Sequence, residues 1–265
     1  MFVHNFNPIL FDFGIIAIRW YSLAYIFGII LGLSYGKYLI KKFYFQQNVK
    51  IHHLDDFLIW IVIGIILGGR TGYVLFYNFQ FYLENPLDIF KIWTGGMSFH
   101  GGMLGIIIAT VFYVKKNNIS FWLLTDILAC VAPIGLFFGR IANFINGELI
   151  GKPTDIAWSV IFPLYDNLPR HPSQLYEALL EGVVLFVMIN FIFRKKNRIV
   201  GLSSFLFLFL YSLFRIFAEF FREPDQHIGY IFPNISLGMI LSLITIMLSL
   251  IILIKINKND FKKNN

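Results

Sequence analysis

The chain has 265 residues, of which 57% are hydrophobic and only 14% charged, and its mean hydropathy is +0.69. Soluble domains carry closer to a quarter charged residues, so this composition excludes an ordinary soluble domain and marks a polytopic helical membrane protein. The net charge of +7 does not point to nucleic acid, because the basic residues cluster in short loops between apolar runs.

Runs of about 17–25 apolar residues are the signature of bilayer-crossing helices. In chain order they predict seven helices near 17–40, 54–78, 99–114, 121–145, 174–193, 201–221 and 235–254. The third is short and begins among glycines. No linker or soluble insert separates them, so residues 1–265 read as one membrane domain. The residues before the first run lack Lys and Arg and the run is long, so a cleavable signal peptide is not expected. The one cysteine, Cys130, lies inside an apolar run and reads as a buried small hydrophobe.

Loop charges set the orientation. One side collects Lys37, Lys41, Lys42, Lys50, Lys115, Lys116, Arg194, Lys195, Lys196, Arg198, Lys255, Lys258, Lys262 and Lys263; the other has only Lys91, Lys152, Arg170 and Arg222. The positive-inside rule places the N-terminus outside and the C-terminus in the cytoplasm. Glycines recur four apart at 28, 32 and 36, at 64 and 68, at 101 and 105, and at 135 and 139, a spacing that lets helices approach closely.

Four arginines remain inside or at the edge of apolar runs: Arg19, Arg70, Arg140 and Arg215. A mid-helix arginine costs roughly 2.5–3.5 kcal/mol on insertion scales. Arg19 reads as an interface anchor, whereas the other three have polar company on their own helical face. Arg140 and Asn143 share a face, with Asn146 and Glu148 just beyond. Tyr211, Arg215, Glu219 and Arg222 follow at helical steps, as do Arg70, Tyr73 and Tyr77 with Asn78 beside them, and Gln174, Glu177 and Glu181. Such stripes must face one another or a water-filled cavity. Structural ion pairing explains part of this pattern, with Arg140 to Glu177 or Glu181 and Arg215 to Glu219 as the natural pairs. All four stripes fall toward the outer half, which suits a polar cavity for an anionic head group. His100, between glycine pairs in "GGMSFHGGMLG", has a side chain suited to proton transfer near neutrality. No phosphate-binding Gly-rich loop, HExxH, CxxC pair or G-x-S-x-G occurs, and neither a metal nor a cofactor is expected.

The motifs "GGRTGYVLFYN", "GGMSFHGGMLG", "GRIANFINGELIG", "RHPSQLYEALLEG" and "FREPD" occur in this order. Together they resemble the bacterial prolipoprotein diacylglyceryl transferases, from "RWYSLAY" to the last apolar run. The resemblance implies a seven-helix enzyme of the bacterial inner membrane. Such an enzyme moves the diacylglyceryl group of phosphatidylglycerol onto the lipobox cysteine of preprolipoproteins and releases glycerol 1-phosphate. By motif, Arg140 falls on the arginine of the family's "GR-x-x-NFINGE" signature, with Asn143, Asn146 and Glu148, and His100 on its "HGG" histidine. Tyr21, Tyr77, Tyr211, Arg215 and Glu219 fall on polar positions linked in the family to the catalytic cavity. Ala142 stands where many members have glycine, and the stretch 152–170 is shorter than in some.

The chemistry this implies needs a base for the thiol and stabilisation of the departing phosphate. The expected roles are His100 as base, Arg140 and Arg215 on the phosphate, and Glu148 and Glu219 bracing the arginines. Tyr21, Arg70, Tyr77, Asn78, Asn143, Asn146, Tyr211 and Arg222 would complete the substrate-binding surface. An organic-anion transporter and a non-catalytic lipid-binding scaffold use similar arginines, and assaying group transfer separates them from an enzyme.

Overall fold

The computed structural model describes residues 2–14, 17–43, 49–195, 199–224, 229–233 and 235–263. Lys196 and Arg198 lie outside the described residues, as do the side chains of His100, Lys255, Lys258, Lys262 and Lys263. Each apolar run of the sequence forms mostly helix: α1 (Trp20–Phe43), α2 (His52–Phe76), α4 (Phe99–Lys116), α5 (Phe121–Asn146), α6 continuing into α7 (Ser173–Phe193), α8 (Leu202–Glu219) and α9 (Leu237–Lys263), the last run opening with a short strand at Ile235–Ser236. A short α3 (Phe79–Glu84) follows α2. Among the described residues, five helices are long and apolar enough to cross a membrane (α1, α2, α5, Ser173–Phe193 and α8), and α9 carries a shorter apolar stretch, Leu237–Ile251. Helix α1 starts three residues later than its apolar run. Ala17–Arg19 form strand β3 instead, paired antiparallel with β2 (Ile9–Asp12), so their backbone groups bond across a hairpin.

The chain divides into two compact units, Lys37–Leu124 and the remainder. In the Lys37–Leu124 unit, α2 packs on α4 through the glycines whose spacing marked them. A methyl on Gly105 would lie 1.9 Å from the Gly64 carbonyl oxygen, and one on Gly101 would lie 2.3 Å from that of Gly68. No side chain fits between these backbones, so the glycines set the helix separation. Ser98 caps α4, its hydroxyl accepting from the Gly101 N–H at 3.2 Å.

Arg70, on α2, is almost wholly buried and donates to the carbonyls of Asp88, Ile89, Lys91, Gly95 and Gly96 at 2.5–3.2 Å. These carbonyls belong to the turn-rich segment after α3, whose residues 86–90 and 92–94 form short tight helices. Five guanidinium donors therefore tie down backbone that has few ladder bonds of its own.

In the other unit, a small sheet joins β1 (Phe2–Val3), β4 (Val160–Ile161) and β5 (Pro169–Arg170) in that order, parallel and then antiparallel. Phe162, Val160 and Ile150 form a small core beneath it. Pro133 sits inside α5, where its ring disturbs the carbonyls of the preceding turn. Asn190 of α7 (Leu185–Phe193) donates to one of these, the Cys130 carbonyl, at 3.1 Å, and Cys130 itself is fully buried.

Candidate functional site

Helix α5 ends in the stretch "NFINGE". Its last turn is closed by Gly147 at φ 66°, followed by Leu149 at φ 54°, so the chain reverses sharply. The reversal folds Glu148 back over the helix end, where its carboxylate accepts from Asn143 Nδ2 and Asn146 Nδ2, each at 3.2 Å. Its carbonyl accepts from Gln174 Nε2 at 2.6 Å, and the Leu149 carbonyl accepts from the Ser173 hydroxyl at 3.0 Å. Helix α6 (Ser173–Glu177) is thereby fastened to the end of α5. On the other flank, His4 Nε2 donates to the Phe144 carbonyl at 2.7 Å.

One turn along both helices lies the charged centre. Glu177 and Glu181 have no exposed surface. Between them the chain passes into a wider π turn, Ala178–Val184, a local irregularity common at functional sites. Arg140 reaches Glu181 Oε2 through Nη2 at 2.9 Å and Nε at 3.2 Å, and Glu177 Oε2 through Nη1 at 2.8 Å. Arg215 of α8 binds Glu177 Oε1 through Nη1 at 2.8 Å and also pairs with Glu219. Arg222 stands 3.8 Å from Glu177 and 3.9 Å from Glu219. Three guanidiniums thus face three carboxylates, with Glu177 bridging the arginines of α5 and α8. Glu219 is fixed further by the Ser236 hydroxyl at 2.8 Å. An added methyl on Gly238 would lie 2.6 Å from Glu219 Oε1, so the start of α9 rests directly on this carboxylate.

The close approach of α5 has the same kind of cause. A Cβ on Gly182 would lie 2.7 Å from the Phe137 Cβ and 3.0 Å from its Cα. Arg140, three residues beyond Phe137, reaches Glu181 because its helix rests directly on that glycine. Among the described residues, the buried acceptors Asn146 Oδ1, Gln174 Oε1, Glu177 Oε2 and Glu181 Oε1 receive no hydrogen bond, although Arg140 Nη1 stands 2.8 Å from Glu177 Oε2 and Arg215 Nη1 3.8 Å from Glu181 Oε1. Unpaired buried acceptors are uncommon in folded proteins and suit a ligand that brings hydroxyl groups.

Beside the centre, Arg170 of β5 joins the loops. It pairs with Asp166 at 2.5 Å and with Glu223 at 3.0 Å, and donates to the Gly151 carbonyl at 2.8 Å. Hydrogen bonding to Arg170 holds the Asp166 carboxyl below the usual carboxylate range. Burial, aided by Lys152, pushes the His171 imidazole down, and its Nδ1 lies 3.2 Å from the Tyr176 hydroxyl.

The unit that holds Arg140 thus brings together Asn143, Asn146 and Glu148 as one group and Arg140, Arg215, Glu219 and Arg222 as another. Tyr211 lies one turn before Arg215. Tyr21 lies on α1, with the Tyr25 hydroxyl donating to its own at 3.4 Å. Glu148 accepts from asparagines, whereas Glu219 pairs with Arg215. Arg70, Tyr77, Asn78 and His100 belong to the Lys37–Leu124 unit. Tyr77 follows the last residue of α2, stacked on Tyr73 with ring centres 5.6 Å apart. His100 is the second residue of α4, and the cap of that helix is Ser98. Gln174, Glu177 and Glu181 were legible as a polar stripe but not as members of the site; their signal is that fully buried carboxylates demand cations.

The fold defines a multi-pass helical membrane protein built around a buried arginine–glutamate cluster. The family model for prolipoprotein diacylglyceryl transferase matches residues 8–255, and the chain belongs to this family. It is 51% identical over 253 residues to the phosphatidylglycerol–prolipoprotein diacylglyceryl transferase of Rickettsia bellii (strain OSU 85-389), covering 95% of each chain. The enzyme of the same name from Rickettsia akari (strain Hartford) is 53% identical, covering 90% of this chain and 92% of its own. That from Allorhizobium ampelinum is 49% identical, covering 92% of this chain and 88% of the relative.

Proposed function

We propose that this protein transfers the diacylglyceryl group of phosphatidylglycerol to the lipobox cysteine thiol of preprolipoproteins, the first step of bacterial lipoprotein maturation. The observation that carries the reading is the buried cluster of Arg140 and Arg215 bridged by Glu177, in a chain whose full-length relatives carry this enzyme's name.

In the reaction, the thiol gives its proton to a base. The sulfur forms a bond to the glycerol carbon bearing the phosphate ester, and the C–O bond breaks. The departing oxygen keeps the electron pair, and glycerol 1-phosphate leaves. The developing charge needs fixed donors in a site shielded from water. Arg140 Nη2 carries a second N–H beyond the one it gives Glu181, and Nη1, paired with Glu177 at 2.8 Å, carries two more; these fit phosphate oxygens. Pinning by buried carboxylates holds the guanidiniums in place before substrate arrives, so no reorganisation is needed during reaction. Asn146 Oδ1 and Gln174 Oε1, buried without donors, suit the glycerol hydroxyls. Asn143, Glu148, Tyr211, Glu219 and Arg222 shape the same pocket. We assign His100 as the thiol base and place Tyr21, Arg70, Tyr77 and Asn78 on the substrate path, Arg70 by holding residues 88–96 in position.

The setting of this reading is a bacterial inner-membrane domain spanning residues 1–265. Its seven helices cross the bilayer with the N-terminus outside and the C-terminus in the cytoplasm, and the polar cavity lies in the outer half. The decisive experiment incubates the purified protein with phosphatidylglycerol and a lipobox peptide. A gain of one diacylglyceryl mass on cysteine is expected. Movement of lipid or organic anion across vesicles without that gain would transfer the reading to a transporter.

A further inference from the structure

Asp126 is a fully buried carboxylate on α5 for which the proposed chemistry has no use. It lies near the N-terminal end of α5, far from Arg140. Its oxygens accept from the backbone N–H of Gly201 at 2.7 Å, the backbone N–H of Ser204 at 2.8 Å and the Ser204 hydroxyl at 2.7 Å. These groups form the start of α8. Gly201 is the residue before that helix and sits at φ 92°, with no side chain of its own to cap the exposed N–H groups. Asp126 therefore supplies an N-cap from a different helix, and a carboxylate there also meets the positive end of the helix dipole.

The register of this cap matters at the other end. Arg140 stands fourteen residues beyond Asp126, and Arg215 fourteen beyond Gly201. At 1.5 Å per residue both runs measure about 21 Å, and fourteen residues are close to four turns, so each arginine returns to the face of its cap partner. The two runs end on the two oxygens of one carboxylate. Glu177 takes Arg140 on Oε2 and Arg215 on Oε1, each at 2.8 Å. Helices α5 and α8 are thus parallel rods tied at two levels, by Asp126 below and by Glu177 above.

We infer that Asp126 is a positioning residue for the transfer reaction: by capping α8 from α5 it fixes the axial register that sets Arg140 level with Arg215. The inference rests on reading the arginine cluster as the reaction centre. A shift of one helix along the other by a fraction of a turn would leave Glu177 unable to serve both guanidiniums, and misplacement by about 1 Å can cost roughly 10²-fold in rate.

The test uses full-length protein in lipid nanodiscs, with phosphatidylglycerol and a lipobox peptide, at a temperature well below each variant's melting point. Asp126→Ala is expected to lower kcat about 10- to 100-fold while KM for phosphatidylglycerol changes less than about threefold, because the cap lies far from the lipid. Asp126→Asn, which keeps one acceptor oxygen, should fall between Asp126→Ala and the parent. Unchanged kcat in folded Asp126→Ala, or losses in both variants that disappear on cooling in step with regained stability, would overturn the inference. If Asp126→Ala does not fold, Asp126→Asn decides by the same criteria. Arg140→Ala is run beside them. If it is inactive while the Asp126 variants work normally, only this inference fails; if it is active, the arginine reading fails first.

Discussion

Arg140 holds two carboxylates that have no water to fall back on. Glu177 and Glu181 are completely enclosed, and the arginine side chain that neutralises them is itself only 14% exposed. Removing one partner of a buried ion pair costs about 3–5 kcal/mol, because a charge is left without compensation. Arg140→Ala should therefore lower thermal stability by that order and cut transfer by at least roughly 10²-fold, as loss of one preorganised donor does elsewhere. Lysine restores the charge but not the fork. It can pair with one glutamate, so Arg140→Lys should regain part of the stability and little of the rate. Thermal unfolding and initial rates on phosphatidylglycerol separate the two effects. Near-normal transfer by purified Arg140→Ala sinks the phosphate assignment, and full activity of Arg140→Lys sinks the argument from bidentate geometry.

At the scale of elements, single atoms decide how near the helices come. Gly182 lets α5 rest on the π turn, with an added methyl only 2.7 Å from Phe137. Gly182→Ala should push α5 outward, cost about 1–3 kcal/mol through overpacking, and lower kcat by loosening the Arg140–Glu181 contact. Gly135→Ala is the control, since a methyl there meets nothing within 4 Å. Its stability should be unchanged or slightly improved, because alanine favours helix over glycine by about 1 kcal/mol. Equal melting temperatures for the two variants would refute the close-packing account. These elements also mark what the sequence could disclose. Helical periodicity exposed the stripe of Gln174, Glu177 and Glu181, because side-chain direction follows from spacing. It did not disclose the π turn, nor that one carboxylate serves two arginines, since both depend on how separate helices meet. Arg70 is the clearest case. Its charge in an apolar run was plain, but its five carbonyl partners come from a loop without side-chain signature.

Across the whole molecule, apolar run length located every long helix, because the demand for internally satisfied backbone in lipid leaves few alternatives. The misses at Ala17–Arg19 and Ile235–Ser236 arose where hairpins offer those backbone groups other partners. Orientation rests on a different physical quantity, the distribution of Lys and Arg, and helix α5 offers the sharpest test. The turn before it follows Lys115 and Lys116, whereas Leu164 lies in the loop after it and is 87% exposed. By the positive-inside rule the first loop is cytoplasmic and the second outside. The single native cysteine, Cys130, is fully buried and can be replaced by alanine to give a silent background. In that background Leu164→Cys should react with a membrane-impermeant maleimide added to spheroplasts, and Ser120→Cys, exposed before α5, only after permeabilisation. The reverse pattern would invert the topology and put the arginine cluster nearer the cytoplasmic face. Labelling of both sites from outside would mean that α5 does not cross the bilayer, and the outer-half cavity would lose its support.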